Sequence, residues 1–582
     1  MSTTEHGRDG ARSRDGWIGD VTVIGGGRIG GKAEGLVRIA REVLTQITDG
    51  EFPEFSIRVP GFTVIGTDVF DDFMRHNDLE GVALSGDDDE RIAHAFQRGV
   101  LPAQHLGALR DIVRHGTNPL AVRSSSLLED ALDHPFAGVY ATKMTPNNQP
   151  SADARFRRLQ EAVKFVYAST FFRSARTYLE ALGREPRDEK MAVIIQEVVG
   201  RRHGDRFYPT ISSVARTYNY YPAGKATPHD GVASLALGLG RQIVDGGACW
   251  SYVPAYPLAP PPYADVGERL NATQRTFWAV NVGKPPAPDP VRETEYLVEC
   301  PLEDAEYDGS LDHVVSTYLP ANGVLRPGRR PGGPWCVDFS PMLGLGTLPL
   351  NGAIQRLLAL SEQATGGAVE IELALDIPHD DGEPARLGFL QMRPMAVSGS
   401  GRTLTADDLR GPDVVVAAQH ALGDGVKSGV VDVVYVDPAT FDAGKTTQVA
   451  LELAEHNRRL LQARRPYVLI GFGRWGTSDP WLGIPVDWGR VSGACVLVEA
   501  ALQDEPRHQP GFALLPQPDQ LRGLLPGHRT RRRGARGLGL ALRATRGGAV
   551  AVRAPRRAVR AVAHRGRWDR GPGGHPACVT AT

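Results

Sequence analysis

The chain has 582 residues, 41% hydrophobic and 23% charged, which is too long for one hydrophobic core and ordinary for a globular protein, so several domains are expected and general disorder is excluded. The net charge of -1 hides an asymmetry: from His508 onward there are 15 Arg, no Lys and two Asp, leaving 51 basic against 65 acidic groups before it. No apolar run approaches the roughly 20 residues that span a bilayer, and residues 1–17 form a polar tail without a signal core, so no membrane partner and a cytoplasmic location are expected. The five cysteines are scattered without a C-x-x-C pair, which argues against a zinc site or a disulfide framework.

The first predicted strand, Val21-Thr-Val-Ile24, runs into Gly25-Gly-Gly-Arg-Ile-Gly-Gly-Lys32-Ala33 and an amphipathic helix through Leu36, Ile39, Val43 and Ile47. Gly25, Gly27 and Gly30 have the spacing of a dinucleotide-binding loop, where glycine lets phosphate approach the backbone. Gly26, Gly31 and Lys32 have P-loop spacing, but Ala33 stands where a hydroxyl should hold magnesium. A tight turn using glycine at positive φ leaves the same trace.

The β-prone Leu120-Ala-Val122 leads into a second loop, Arg123-Ser-Ser-Ser-Leu-Leu-Glu-Asp130, with Phe136-Ala-Gly138 beyond. An arginine at a strand end offers a planar fork of donors to phosphate oxygens, and serine hydroxyls and backbone amides add donors around it. The same residues could cap a helix, with Glu129 in its first turn. Helical patterns over Ala152 to Leu182 precede a strand, Met191-Ala-Val-Ile-Ile195, continuing as Gln196-Glu-Val-Val199.

From there to Ser400 the chain is strand-rich. Glu370 and Glu372 stand two apart in an extended run and share a face, as do Gln391 and Arg393 on a neighbouring strand. A carboxylate and an amide oxygen suit Mg²⁺, and an arginine beside them can neutralise charge on a γ-phosphate. A solvated charged edge strand is the alternative reading. The flexible Ser398-Gly-Ser-Gly401 marks a boundary, followed by β-rich sequence from Asp413 to Val436, a helix from about Lys445 to Arg465, a strand at Tyr467 to Ile470, and a turn-rich stretch. In that stretch, Gly471-Phe-Gly-Arg474-Trp475 with Asp479 and Trp481 could stack and pair with a ligand, or could form a packed loop.

The tail from His508 has no strand or helix period. A basic disordered arm for nucleic acid is one reading. The other, which we favour, is a shifted reading frame: writing His508 to Gly523 as plausible codons and reading one base later gives TSQGSHFFPNLTNFG. No nucleic-acid partner is expected unless the basic tail is genuine.

Taken in order, Gly-Gly-Lys32-Ala-Glu-Gly-Leu36, the Arg123 serine loop with Phe136-Ala-Gly138, Ile194-Ile-Gln196-Glu-Val-Val199, the Ala236 to Gly247 glycine turns, and Glu372 with Gln391-Met-Arg393-Pro394 resemble the nucleotide-binding domain of the pyruvate phosphate dikinase and phosphoenolpyruvate synthase family. The resemblance covers Val21 to Pro394. It implies an α/β (α+β) architecture: an ATP-grasp-like domain with lobes at residues 18–200 and 201–400, then a small α/β domain at 410–505, with 508–582 an Arg-rich, frameshifted and disordered tail.

It also implies an ATP-dependent kinase, or phosphotransferase, using ATP and Mg²⁺. Lys32 and Arg123 would hold phosphates, Gln196, Glu197 and Val199 adenine, Glu372 and Gln391 metal, and Arg393 the transferred charge, with Arg123 and Arg393 as the catalytic pair. Arg241 and Tyr218 depart from the family pattern, where an acidic residue and an arginine are usual. None of the 16 histidines follows Ser or Thr, as the family's phosphohistidine does, so the phosphohistidine and pyruvate-barrel domains are expected to be missing. The phosphoryl acceptor, a separate protein or a small molecule, stays open, as does a non-catalytic ATP-sensing module. Residues 467–499 resemble the ending of a bacterial dikinase-like subfamily that continues with the pattern found in the shifted frame.

Overall fold

The computed structural model describes residues 22–500 except 49, 127–128, 130–138, 182–183, 221, 223–224, 260–264, 379–381, 396, 398–413, 419–424, 429, 431, 438–440, 478–482 and 487, together with 539–542, 550–553 and 560–562. The polar tail, Phe136 to Gly138, the Ser398 to Gly401 linker, and Asp479 with Trp481 lie outside the described residues. Internal contacts divide the chain into two units, Met1–Arg176 with Glu185–Thr217 and Val232–Met395, and Thr177–Arg184 with Tyr218–Gly231 and Ala396–Thr582. Both mix helices with several sheets.

The first unit holds β1 (Thr22–Ile24), β2 (Phe55–Arg58), β3 (Phe62–Ile65), β4 (Leu120–Ser126), β5 (Thr142–Thr145), β6 (Met191–Glu197), β7 (Arg201–His203), β8 (Arg206–Tyr208), β9 (Ile211–Arg216), β10 (Val232–Ala236), β11 (Trp250–Tyr252), β12 (Thr276–Asn281), β13 (Leu297–Pro301), β14 (Val315–Leu319), β15 (Val324–Pro327), β16 (Trp335–Val337), β17 (Val369–Asp376) and β18 (Ala385–Pro394). They build sheets ordered β1-β3-β6-β4-β5, β11-β10-β9-β17-β18-β2, β13-β12-β8-β7 and β15-β14-β16. In the first sheet only β1 and β3 run parallel; β6 and β4 are antiparallel to their neighbours. The dinucleotide reading of Gly25 to Gly30 therefore has no doubly wound parallel sheet to stand on.

Residue 200 is not a clean divide between halves of this unit. Strand β2 from the first half pairs in parallel with β18 from the second, Phe55 opposite Ala385. One buried apolar cluster runs from Ala33, Leu36, Val64 and Ile194 to Ile371, Leu373, Phe389 and Met392. The amphipathic run after the glycine loop is helical over Gly31–Arg38 and widens by one residue per turn over Ile39–Val43. Ala33, Leu36, Ile39 and Val43 stay buried throughout, since apolar residues three or four apart keep to one face.

In the second unit β21 (Asp432–Tyr435), β22 (Tyr467–Phe472) and β25 (Ala494–Ala500) pair in parallel, with helix Thr446–Gln462 crossing between the first two. This is a βαβ arrangement, as the strand and helix periods predict. Strands β19 (Val414–Ala418) and β20 (Gly425–Ser428) precede it, and β23 (Arg474–Trp475) pairs with β24 (Gly483–Ile484). Trp475 is buried, and its indole N–H donates to the Val498 carbonyl at 3.0 Å, so packing, and not ligand stacking, accounts for this residue. In the tail, β26 (Gly539–Leu542), β27 (Val550–Arg553) and β28 (Arg560–Val562) pair with β20, β19 and β21, so the expectation of a tail without regular structure does not hold at these residues. Among the described residues no helix is long and apolar enough to cross a membrane.

Candidate functional site

Arg123 projects from the middle of β4 and joins the two large sheets. One terminal nitrogen of its guanidinium donates to Gln196 Oε1 at 3.3 Å and to the Leu390 carbonyl at 3.1 Å. The other donates to Glu372 Oε2 at 3.2 Å and to Gln391 Oε1 at 2.5 Å. Four residues far apart in sequence, Arg123, Gln196, Glu372 and Gln391, thus meet at one hydrogen-bonded centre.

The pairing of β17 with β18 explains how Gln391 reaches it. Glu370 lies opposite Arg393 and Glu372 opposite Gln391, but Leu373 lies opposite Phe389, so Leu390 is the extra residue of a β-bulge. A bulge shifts the side-chain alternation by one. Phe389 and Met392 therefore both enter the core, while Gln391 and Arg393 share the polar face with Glu372 and Glu370. The Leu390 carbonyl then accepts from Arg123.

Arg393 stands one pair further along. Its Nε donates to Glu370 Oε1 at 2.6 Å, and Arg216 of β9 donates to the other oxygen of the same carboxylate. Burial would raise the Glu370 carboxyl, but the Arg393 and Arg216 guanidiniums outweigh it and hold it below the usual carboxylate range. Two arginines thus share one carboxylate.

Lys32 occupies a separate group. In the first turn of helix Gly31–Arg38, its ammonium lies 2.7 Å from Glu129 Oε1 and donates to Ser124 Oγ at 3.1 Å. Among the described residues no hydrogen bond or ion pair links Lys32 to Arg123. The serine hydroxyls, expected to face phosphate, are turned inward: Ser125 Oγ accepts from Ala33 N at 3.1 Å and donates to the Ile29 carbonyl at 2.8 Å. Gly30 permits this contact, with φ 78 and ψ 165 and with room for no Cβ, which would lie 1.9 Å from the Ser125 carbonyl oxygen.

The three expected adenine residues divide. Gln196 is buried with its Oε1 fixed by Arg123, and its buried Nε2 has no hydrogen-bond partner among the described residues. Glu197 follows it on β6, where alternation sends its side chain to the other face. Burial pushes the Glu197 carboxyl up to about 7, opposed by the charge of Arg386. Val199 is buried just after β6 ends. Glu370, Arg216, Glu129 and the Leu390 carbonyl belong to the site but were not among the sequence-predicted residues. Alternation places Glu370 on one face with Glu372, and the sequence reads Glu129 as a helix-capping residue, but neither reading gives the residue a role in the site.

A search of curated proteins finds no match. The family model for the AMP/ATP-binding domain of pyruvate phosphate dikinase matches residues 27–410, a span that contains every residue of the three groups just described. The chain belongs to the pyruvate phosphate dikinase family through that domain.

Proposed function

We propose that this cytoplasmic chain is an ATP-grasp-type phosphotransferase that binds Mg-ATP on the polar face of β17 and β18 and passes its terminal phosphoryl group to an acceptor outside the described residues. The observation that carries the reading is the Arg123 centre, which gathers an arginine, a carboxylate and two amides from β4, β6, β17 and β18.

Glu372 and Gln391 already turn hard oxygens toward a cation, the guanidinium, so their donor set fits Mg²⁺. When bound, the metal would neutralise phosphate charge between its oxygens. Arg123 has four N–H groups on its terminal nitrogens, and all four are taken by protein oxygens, so that end of the fork meets a phosphate by exchanging partners. Releasing Glu372 and Gln391 frees those oxygens for the metal in the same movement. Arg393, positioned by Glu370, stabilises the transferred charge. The unpartnered Gln196 Nε2 suits an acceptor nitrogen of adenine, and a buried donor without a bond costs about 1–3 kcal/mol, which such a contact would recover.

Thermal denaturation with and without Mg-ATP tests the site. A ligand at about 100 times its Kd stabilises the native state by roughly 2.7 kcal/mol, so wild type should show a clear rise in Tm. Arg123→Ala and Glu372→Ala should lose most of it. Responses equal to wild type in both variants would show that the site lies elsewhere. A second reading, a sensor that binds ATP and transfers nothing, is favoured by one observation, that no histidine follows Ser or Thr. Binding without hydrolysis or exchange would select it.

A further inference from the structure

Glu129 is a buried carboxylate three residues past the end of β4, held by bonds from both of its oxygens. Its Oε1 lies 2.7 Å from the Lys32 ammonium and accepts from Ser124 Oγ at 2.9 Å. Its Oε2 accepts from the Ser126 backbone N–H at 2.9 Å, and its own N–H donates to Ser126 Oγ at 3.1 Å. The last two bonds form the reciprocal box that a Ser-x-x-Glu spacing can make at a helix start. Here the box does more than close a turn, because the remaining carboxylate oxygen is committed to a lysine 97 positions away in the chain.

Lys32 needs such a partner for two reasons. It stands in the first turn of its helix, where the positive end of the helix dipole disfavours a cation. Its four-carbon stem is also flexible, so an unrestrained ammonium would sample many positions. Glu129 offsets the charge and, with Ser124, fixes the direction. An ammonium has three N–H donors, and Glu129 and Ser124 take two of Lys32's, leaving one for a phosphate oxygen. Glu129 is held in turn by the serine loop, which Ser125 fastens to the backbone of the glycine loop.

We propose that Glu129 is the positioning residue of the phosphate-binding lysine: it aims the Lys32 ammonium and contributes to nucleotide affinity only through it. This rests on the nucleotide-site reading above. It makes the serine loop a clamp on Lys32 and leaves phosphate contact to Lys32 and Arg123.

Calorimetric titration of the full chain with Mg-ATP and, separately, with adenosine tests it, using wild type, Glu129→Gln, Lys32→Met and the double variant. Glu129→Gln is isosteric and keeps an acceptor for one side of the box. It should weaken Mg-ATP about tenfold, leave adenosine unchanged, and cause no further loss in the Lys32→Met background. Glu129→Asp should recover part of the ATP affinity. Equal losses for ATP and adenosine, or additive losses in the double variant, would reduce Glu129 to a structural residue and overturn the proposal, as would unchanged ATP affinity. If Glu129→Gln does not fold, Glu129→Asp is read by the same ATP-against-adenosine criterion. Wild type that binds neither ligand removes the nucleotide site itself and the proposal with it, whereas wild type that binds both while Glu129→Gln is indifferent removes only the proposal.

Discussion

At the scale of single residues, the charged groups of the candidate site are held by partners from other elements of the chain. Arg123 is bonded to Glu372 and Gln391, Arg393 to Glu370, and Lys32 to Glu129. Each cation expected to meet phosphate therefore already has an acceptor; on the proposed reading the terminal fork of Arg123 would exchange partners, whereas Lys32 would use its remaining N–H. Glu197 forms no ion pair among the described residues, and burial raises its carboxyl from an ordinary value of 4.5 to about 7 against the weaker pull of Arg386. The sign of the linkage follows. Between about pH 4.5 and 7 the unfolded chain has lost the proton that the folded chain keeps, so stability falls as pH rises through that window and the loss is complete above it. Glu197→Gln should flatten this part of the profile. Midpoints of denaturation at pH 4.5 to 8 would show wild type losing stability relative to the variant, and parallel profiles would contradict the assignment.

At the scale of elements, two local irregularities bring the site together. The bulge at Leu390 turns Gln391 and Arg393 onto the polar face and keeps Phe389 and Met392 in the core. Gly30, in a backbone region that only glycine occupies at low cost, lets the glycine loop lie against the serine loop. Gly30→Ala should destabilise the protein by about 1–3 kcal/mol through backbone strain alone, with the clash at Ser125 adding to it. Urea denaturation would measure the loss, and the Mg-ATP response should weaken with it, because Ser125 and Lys32 depend on the same contact. Period-2 and period-3.6 patterns made the strands around Met191 and Val369 and the helices after Gly30 and Lys445 legible in the sequence. They could not reveal the bulge, since an extra residue leaves the composition of a strand unchanged and alters only which face each later side chain meets.

Across the first unit as a whole, its halves interlock. The segment between β12 and β13 is fastened to β5 by Lys143, whose ammonium lies 2.8 Å from Glu295 Oε2 and donates to the Arg292 and Pro290 carbonyls at 2.6 and 3.1 Å. Both side chains are 1% exposed, and burial pulls the Lys143 ammonium below its usual range against the opposing pull of Glu295. Removing one member of a buried pair leaves an uncompensated charge, at a cost of about 3–5 kcal/mol. Lys143→Met should therefore be strongly destabilising in chemical denaturation. Adding Glu295→Gln should restore part of the loss, and additive losses in the double variant would show that the pair is not coupled. The fastening and the shared strand β2 join residues of both predicted lobes, which the boundary at residue 200 did not anticipate.

The sequence alone determined the family, because its ordered motifs, Gly-Gly-Lys32, the Arg123 serine loop, and Glu372 with Gln391 and Arg393, are properties of short segments. The same motifs singled out those five residues as candidates for the nucleotide site. Tertiary structure decided what each of these residues touches. That Arg123 meets Gln196, Glu372 and Gln391, that Lys32 is held by Glu129, and that Arg216 reaches Glu370 all depend on tertiary contacts across more than 70 positions of sequence. Local periodicity carries no information about such pairings, because register is fixed by the burial of a whole sheet face and not by any one segment.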